Sequence, residues 1–574
     1  MSLKQYFQEE IDHLRELGAE FSRLHPALAP MLNGPSRDPD VERLLEGVAY
    51  LAGTLRHRMD DEFPEFISAM MYLSVPHLLQ PTPSTTLLQF TPEDHLSESM
   101  RVPGHTPVHS IAVDGTVCCF ETAYPFSLDP LKLEAVGWEG LGDSASRLTL
   151  SFKVLPGASG RWSPDFLQLQ CLGEIGPATG LYALLTTKLK SLSLRDSDGN
   201  VFRLPPDSVY PAAFGEKTPL LPYPMHIFPG YRILMEYFIL PEKFLAVGVK
   251  GLGQRLNARS AKYFTLIFEL DAPEDAFRPG RESLGLHVVP ACNCFERDSQ
   301  PINLTHQSSE YPLRVERDEG HCHVMGVRLL EGVTRRNGSR REFLPFYDFE
   351  DRHSDPLYVL RWRGDALTEE VKTFLELIYP RQDVFIEDEI MIGKLRCCNG
   401  HLPERLRLGD IHVPTPTSPV HCTFRNITTP TGLASPHTDR GSAWRLMAHL
   451  RLNLLHLKSP EDLQTILMLY AGRRSRDRAR FDAGVHRIQG ITDFSARALD
   501  RLYRGQLIRG TGASLSLDPQ SYAGPGDMYL FGQVLQHFFS SQSQINSFVQ
   551  LTMKDDSTGI ETTWKPRAGD QPLL

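Results

Sequence analysis

The chain lacks the features that mark membrane proteins and nucleic-acid-binding proteins. No apolar run in its 574 residues approaches the ~18 residues that a membrane-spanning helix needs, and the N-terminus shows no secretory signal pattern. The net charge is only −10 and the pI about 6.1, so no general basic field attracts nucleic acid or an anionic membrane. We therefore expect a cytoplasmic protein that binds no nucleic acid, makes no direct membrane insertion and has proteins as partners.

The sequence also lacks the short motifs of the common enzyme classes. It contains no H-E-x-x-H and no G-x-S-x-G segment. Gly251-Leu252-Gly253 lacks the third glycine of a dinucleotide-binding fingerprint, and the segment 215–218 lacks the upstream glycine of a phosphate-binding loop. These absences give no support to a nucleotide or other cofactor site, and we predict no cofactor.

Cysteine is scarce, and its pattern does not predict disulfides or a metal centre. The nine cysteines are an odd number, which suits buried reduced thiols better than a disulfide framework. The best metal candidate is Cys292-x-Cys294 with His321-x-His323, because each pair would point to one side of a strand. This spacing is not a recognised zinc framework, so we predict no metal site.

Residues 38–66 predict a long amphipathic helix. Asp38 can cap the first N–H groups, Pro39 fits the first turn, and Pro64 marks the end. The apolar positions recur at spacings of three and four and form one stripe, made of Val41, Leu44, Leu45, Val48, Leu51, Ala52, Leu55 and Met59. A stripe of this kind has to be buried, so we interpret the segment as an assembly helix and not as part of an active site.

The helix predicted before it, at residues 3–24, carries a narrower apolar seam. Glu10 takes one place in a 3-4 repeat whose other members are Phe7, Leu14, Leu17, Phe21 and Leu24. A seam as narrow as the face of a coiled coil suits a partner helix. Periodicity alone equally allows the first two helices to pack on each other as an αα-hairpin inside one domain.

The middle of the chain is predicted to be rich in antiparallel strands. Residues 147–154 alternate polar and apolar side chains, which is typical of a strand with one buried face. Two Asp-Gly pairs, at 114–115 and 198–199, predict tight hairpin turns. Apolar runs at 235–240 and 263–270 predict two further strands.

The whole chain is predicted to be a multidomain α+β protein. Three prolines between residues 76 and 83 break the helical periodicity and mark a first boundary, and we place a weaker one near residue 300. Helices are expected from about residue 365 onward, among them a buried helix at 443–457 and a C-terminal helix with a stripe of Met528, Phe531, Leu535 and Phe538. The predicted regions are an N-terminal bundle-forming helical region (1–80), a β-rich middle region (81–300) and a C-terminal α+β region with subunit-association helices (301–574).

Segments along the whole chain resemble the TssF family, the baseplate component of the bacterial type VI secretion system, a contractile injection machine related to phage tails. The N-terminal segments are FQEEIDHLRELGAEFSRLHPALAPML, DPDVERLLEGVAYLAGTLRHRMDDEFPEF and PHLLQPTPS. Later segments are YRILMEYFILPEKF from Tyr231, FLPFYDFE from Phe343, CCNGHLPERLRLGD from Cys397, NITTPT from Asn426, AWRLMAHLRLNLLHL from Ala443, FGQVLQHFFSSQSQINSFVQL from Phe531 and WKPRAG from Trp564. Where the family usually has aliphatic residues this chain has Cys292 and Cys294, which argues against a metal role for them.

The resemblance implies a structural, non-catalytic subunit of the baseplate wedge. By this likeness the chain would assemble with TssG, TssK, TssE and a second copy of itself, and would meet the spike or hub protein VgrG and the sheath proteins indirectly. The wedge would anchor the contractile sheath and trigger it, and it would be docked at the inner membrane through the membrane-anchored secretion complex.

The resemblance also suggests where partners would bind. The seam of Phe7, Leu14, Leu17, Phe21 and Leu24 is expected to enter a helical bundle with TssG or with the second copy, and the helix of Phe531, Leu535 and Phe538 is expected to serve subunit association. The alternative for both stripes is that they are core within one domain. Alternatives for the function are a baseplate wedge protein of a phage-like tail and, less favoured, a cryptic hydrolase or zinc enzyme whose site is assembled from distant segments.

Overall fold

The computed structural model describes most of the chain from residue 76 to residue 569. Before residue 76 it describes Phe7, Gln8, Ile11 and most of 43–54. Later gaps fall at 143, 224–228, 257–261, 274–277, 306–307, 309, 317–320, 337, 347–355, 365–370, 380–388, 437–453, 458, 472–476, 504–505 and 544–546.

The chain divides into two compact units. One consists of Met1–Pro76 with Asp439–Leu450, and the other of His77–Thr438 with Arg451–Leu574. In the first unit, the described residues between Arg43 and Thr54 are helical, as the amphipathic pattern predicts. The hydroxyl of Thr54 donates to the carbonyl of Tyr50 at 2.7 Å, a contact between successive helical turns.

The second unit mixes helices and strands, which confirms the predicted α+β class. Its described α-helices are α1 Pro76–Leu79, whose first residue is the last of the first unit's N-terminal segment, α2 Ile175–Thr187, α3 Pro229–Ile239, α4 Pro460–Ala471, α5 Arg478–Gln489 and α6 Pro525–Ser541. Its described strands are β1 Thr85–Pro92, β2 Met100–Val102, β3 Pro107–Val113, β4 Thr116–Thr122, β5 Phe126–Leu128, β6 Leu131–Gly140, β7 Ser146–Val154, β8 Phe166–Cys171, β9 Leu189–Arg195, β10 Val201–Leu204, β11 Val209–Pro211, β12 Ala246–Lys250, β13 Tyr263–Leu270, β14 Leu284–Gly285, β15 Val288–Cys292, β16 Phe295–Asp298, β17 Ile302–Leu304, β18 Glu310–Pro312, β19 His323–Thr334, β20 Arg340–Glu342, β21 Leu344–Pro345, β22 Leu357–Gly364, β23 Val371–Ile378, β24 Glu389–Cys398, β25 Ile411–Val413, β26 Cys422–Asn426, β27 Ile491–Tyr503, β28 Gln506–Leu517, β29 Phe548–Asp555, β30 Glu561–Thr563 and β31 Arg567–Ala568.

The largest sheet joins parts of the chain that are far apart in sequence. Its strand order is β25-β3-β4-β15-β1-β26, so strands on both sides of residue 300 share one ladder. Its buried face is lined by Leu88, Phe90, Val108, Phe120, Val289, Ile411 and Phe424. The middle and C-terminal regions predicted from the sequence are therefore not separate cores, because long-range pairing across the predicted boundary builds this one.

The other sheets are mostly local. Their orders are β10-β9-β13-β7-β6, β11-β12-β8-β14, β16-β24-β19-β20 with β17 on β24, β18-β23-β22-β21, β2-β5, and β27-β28-β29-β30 with β31 on β29. The described strand pairs formed wholly before residue 300 are antiparallel, as predicted. Parallel pairs occur later, between β21 and β22 and between β28 and β29.

Two local predictions for the β-rich part are confirmed. Strand β7 alternates buried and half-buried residues along its whole length, and β13 forms where the apolar run at 263–270 predicts it. The Asp114-Gly115 pair closes the hairpin between β3 and β4, with φ angles of 49° and 81°. Positive φ at both loop residues is the type I′ arrangement that fits the twist of paired strands.

Two other local predictions are wrong. The apolar run at 235–240 belongs mainly to helix α3 and not to a strand. Most residues of α3 are buried, and a run of only six apolar-rich residues looks the same in a buried helix and in a strand. Helices also do not return at residue 365 within the described residues, where β23 and β24 follow instead and the next α-helix is α4.

Helix α6 packs against α2, α3 and β29 and forms the centre of the helical layer. The backbones of α6 and α2 touch, since a Cβ atom on Gly526 would lie 2.4 Å from the backbone nitrogen of Gly180. The hydroxyl of Tyr182 on α2 donates to Oε1 of Gln533 at 2.8 Å. Such close backbone contact requires glycine and fixes how the two helices cross.

One buried ion pair lies beside this layer. Lys243 contacts the Glu236 carboxylate of α3, and both side chains are 0% exposed. The backbone N–H of Leu220 also donates to Glu236 at 2.7 Å. Burial lowers the pKa of Lys243 to about 8, even though the carboxylate beside it acts in the opposite direction.

Candidate interaction surfaces

The helix around residues 43–54 carries an apolar stripe that its own unit leaves in water. Leu44 is 69% exposed, Val48 50% and Leu51 66%, and they lie at spacings of four and three on one side of the helix. Ala49, on another side, is fully buried. The helix is therefore anchored by one side, while Leu44, Val48 and Leu51, here called the exposed stripe, face outward.

The exposed stripe has the chemistry of a protein-binding surface. It consists of aliphatic side chains, and Tyr50 beside it is 54% exposed. Covering apolar surface is favourable by about 25 cal/mol per Å², and the 4-3 spacing matches the ridge that a second helix packs against. Single exposed leucines are ordinary, whereas three aliphatic side chains aligned on one helix make the exposed stripe a candidate interaction surface.

Most of the other residues of the predicted 38–66 stripe and of the N-terminal seam lie outside the residues that the structure describes. Val41, Leu45, Leu55 and Met59 lie outside the residues whose side chains the structure describes, and Ala52 is half-buried. In the seam, Phe7 is helical and half-buried; Ile11, which is not a seam residue, is 3% exposed. The other four seam positions, Leu14, Leu17, Phe21 and Leu24, lie outside the described residues, so their role stays a prediction.

The C-terminal stripe lies inside the chain's own core. Phe531, Leu535 and Phe538 are all 0% exposed. The ring of Phe538 lies 5.9 Å from that of Tyr231, and the ring of Phe531 lies 5.9 Å from that of Tyr237. These three side chains offer no surface to another subunit in this conformation, which is the intradomain arrangement that the sequence left open.

The two cysteines of the metal candidate have protein partners instead, with the Cys292 thiol 3.8 Å from Oε1 of Glu121. Nε of Arg396 donates to Sγ of Cys294 at 3.2 Å. The hydrogen bond from the neighbouring Cys292 thiol and the Arg396 cation keep the pKa of Cys294 below its usual value. Among the described residues, no cluster of three potential metal ligands includes Cys292, Cys294, His321 or His323.

Sequence reasoning missed a second exposed apolar feature, at the end of a long hairpin. Strands β27 and β28 pair over their full length, but β29 joins them only from Thr511 onward. In the two-stranded part, Leu502 pairs directly with Leu507, and they are 76% and 64% exposed. The two leucines are only five positions apart, so the Arg504-Gly505 pair between two strand-like runs was a local signal that could have indicated this hairpin.

No helix in the described part of the chain combines the length and apolarity that crossing a lipid bilayer requires.

Comparison with known proteins gives one consistent family. The family described as "Type VI secretion system, TssF" matches residues 1–571. A curated protein of Pseudomonas aeruginosa, "Type VI secretion system component TssF1", is 28% identical over 636 aligned residues, which cover 100% of this chain and 99% of that protein.

Two solved structures are similar over nearly the whole length. One is a chain in the cryo-electron microscopy structure of the type VI secretion system TssK-TssF-TssG baseplate subcomplex, with 29% identity, a TM-score of 0.76, and coverage of 93% of this chain and 99% of that one. The other belongs to a structure of the baseplate complex from the type VI secretion system, with 25% identity, a TM-score of 0.61 and complete coverage of both chains.

Proposed function

The chain belongs to the TssF family of the type VI secretion system, a structural component of the baseplate and not an enzyme, and we propose that it acts as a wedge subunit that assembles with TssG and TssK. The proposal extends to a second copy of the chain and to TssE, through which the wedge would anchor the contractile sheath and trigger it. Contact with VgrG and the sheath proteins would be indirect. Docking at the inner membrane would follow from the membrane-anchored complex and not from a span of this chain.

The observation that carries the proposal is the exposed stripe of Leu44, Val48 and Leu51. An isolated enzyme gains nothing from three aliphatic side chains aligned in water on a helix, whereas a scaffold subunit gains binding free energy when a partner covers them. The stripe is straight and narrow, so its natural occupant is another helix.

We propose that TssG supplies this helix. The similar solved chain stands in a complex that is described as TssK-TssF-TssG, so TssG is a documented neighbour of a relative that aligns with 93% of this chain. A second copy of this chain is the other occupant that the sequence left open. The seam of Phe7, Leu14, Leu17, Phe21 and Leu24 would enter the same helical bundle. Its helix precedes the exposed stripe in the chain, and its apolar side also has to be buried.

Purification of the native assembly tests the proposed function. The tagged full-length chain, expressed from its own locus, is expected to bring down TssG and TssK, and intact-complex mass measurement would give the number of copies of each subunit. Recovery of this chain alone, in cells that contain an assembled secretion system, would contradict the proposal. Neighbouring genes for a contractile tail without secretion components would instead favour the phage-like alternative.

A further inference from the structure

Three potential metal ligands converge at one end of two paired strands. Glu93 and His95 follow β1 directly, and His421 immediately precedes β26. Pro92 of β1 pairs with Cys422 of β26, and one step further the backbone N–H of Glu93 donates to the carbonyl of His421 at 2.9 Å. The ladder of the largest sheet therefore fixes the two segments side by side.

Side-chain geometry brings their ligand atoms to one point. Nε2 of His95 lies 2.6 Å from Nδ1 of His421 and 3.4 Å from Oε2 of Glu93. The two rings are perpendicular, with centroids 4.6 Å apart, so the two nitrogens face each other and the carboxylate of Glu93 lies beside them. Among the described residues, Glu93, His95 and His421 form a cluster whose three potential ligand atoms all lie within 4.8 Å of one another.

The backbone around the cluster is held in an unusual conformation. His421 has a φ of 65°, in the left-handed region that few non-glycine residues adopt. The carbonyl of His95 sits so close to Gly157 that a Cβ atom there would be 2.7 Å from the oxygen. The neighbouring carboxylate, Asp94, is occupied by Lys132 at 2.7 Å and so stays outside the set.

We propose that Glu93, His95 and His421 form a surface site for a divalent first-row transition ion such as Zn²⁺. Imidazole nitrogen and carboxylate oxygen are zinc ligands, whereas calcium and magnesium prefer sites made of oxygen alone. Without a metal, two imidazole nitrogens at this distance must share one proton, with one ring donating and the other accepting. On metal binding the donating ring carries that proton on its other nitrogen instead, so that both facing nitrogens and the carboxylate can bond to the ion.

Binding requires only small side-chain movements. Zinc–nitrogen bonds of ~2.0–2.1 Å place two nitrogens on one ion farther apart than the free pair, so the rings must rotate slightly outward. His95 is 60% exposed and Glu93 46% exposed, which leaves room for this rotation without repacking the core. The open side leaves further coordination positions to water or to a group from another molecule.

Titration of the metal-stripped, full-length protein with Co²⁺ and then Zn²⁺ tests the site. We expect one Co²⁺ to bind per chain with the visible bands of nitrogen and oxygen ligation, and Zn²⁺ to displace it while Mg²⁺ does not. His95→Ala and His421→Ala should each weaken binding at least about tenfold, as even changes outside the ligand set commonly do. His412→Ala is the matched control, because that exposed histidine contacts the carbonyl of Gly409 at 2.8 Å, away from the site.

The nine cysteines make one further readout necessary. A thiolate on Co²⁺ gives a strong near-ultraviolet charge-transfer band, which this site should not produce. Binding that shows this band, or that is unchanged in the two histidine variants, would place the metal elsewhere and overturn the proposal. Failure of the native protein to bind Co²⁺ or Zn²⁺ more tightly than the His95→Ala variant would overturn it as well.

Discussion

Changing Leu44 and Leu51 to Asp should abolish binding of TssG without unfolding the chain. The two side chains are 69% and 66% exposed, so their removal deprives the isolated protein of little packing. Asp is less favourable than Leu in a helix by roughly 0.5 kcal/mol, so the double change should cost the helix about 1 kcal/mol. A change of that size leaves a folded protein.

The expected effect on the complex is much larger. Full burial of a leucine side chain stabilises by about 1.5–3 kcal/mol, and two-thirds of that remains to be gained at each position when a partner covers it. The two leucines together thus supply roughly 2–4 kcal/mol. Carboxylates placed without partners in the same interface add a penalty of several kcal/mol. The sum corresponds to a loss of at least about three orders of magnitude in affinity.

Co-expression of the chain with TssG, followed by calorimetry on the purified pair, measures this effect. Glu46→Gln is the matched control in the same helix, since Glu46 is exposed and is not a member of the exposed stripe. Leu408→Asp is a second control, because Leu408 is 61% exposed in the other compact unit. Both controls should bind TssG like the unchanged chain.

Three outcomes would refute the reasoning in different ways. Unchanged TssG affinity in a folded double variant would remove the exposed stripe from that interface. If only self-association is lost, the occupant is a second copy of the chain and not TssG. An insoluble or unfolded variant would mean that Leu44 and Leu51 are core within the domain, contrary to their exposure.

Three further predictions concern the second unit. Phe538→Ala should lower the free energy of unfolding by about 3–5 kcal/mol, because the ring is fully buried, and a urea titration that shows less than about 1 kcal/mol would contradict its place in the core. Lys243→Met should cost about 3–5 kcal/mol by leaving Glu236 buried without its cation, and adding Glu236→Gln should recover much of that loss in the same titration. Burial lowers the pKa of His287 to about 4, and its Nε2 accepts the N–H of Asp129 at 3.1 Å. Below pH ~6.5 the unfolded chain therefore binds a proton that the folded chain does not, so stability should fall toward pH 4 by up to about 1.4 kcal/mol per unit, and His287→Gln should show a shallower slope.

Patterns with a two-residue period translated directly into structure. The alternation at 147–154 became strand β7 because one face of that strand is buried and the other is not. The Asp-Gly pair at 114–115 became a hairpin turn because few residues tolerate the φ angles that it requires. Both features depend on residues that are only a few positions apart, so they can be read from the local sequence.

Features that depend on distant segments could not be predicted in this way. The run at 235–240 is helical because α6, almost 300 positions later, covers α3, and the largest sheet is completed by β25 and β26. The cluster of Glu93, His95 and His421 is likewise created by the pairing of β1 with β26. The sequence around the covered residues gives no sign of the distant segments that cover them.

The two apolar stripes show what periodicity can and cannot establish. Leu44, Val48 and Leu51 have the same helical spacing as Phe531, Leu535 and Phe538, yet the first set is 50–69% exposed and the second is fully buried. The spacing predicts which face of a helix is buried, but it does not predict whether the residues that bury this face belong to the same chain. In α6 the cover comes from α2, α3 and β29. The exposed stripe remains uncovered in this chain, and under the proposed function its burial by a partner subunit contributes to the binding free energy of assembly.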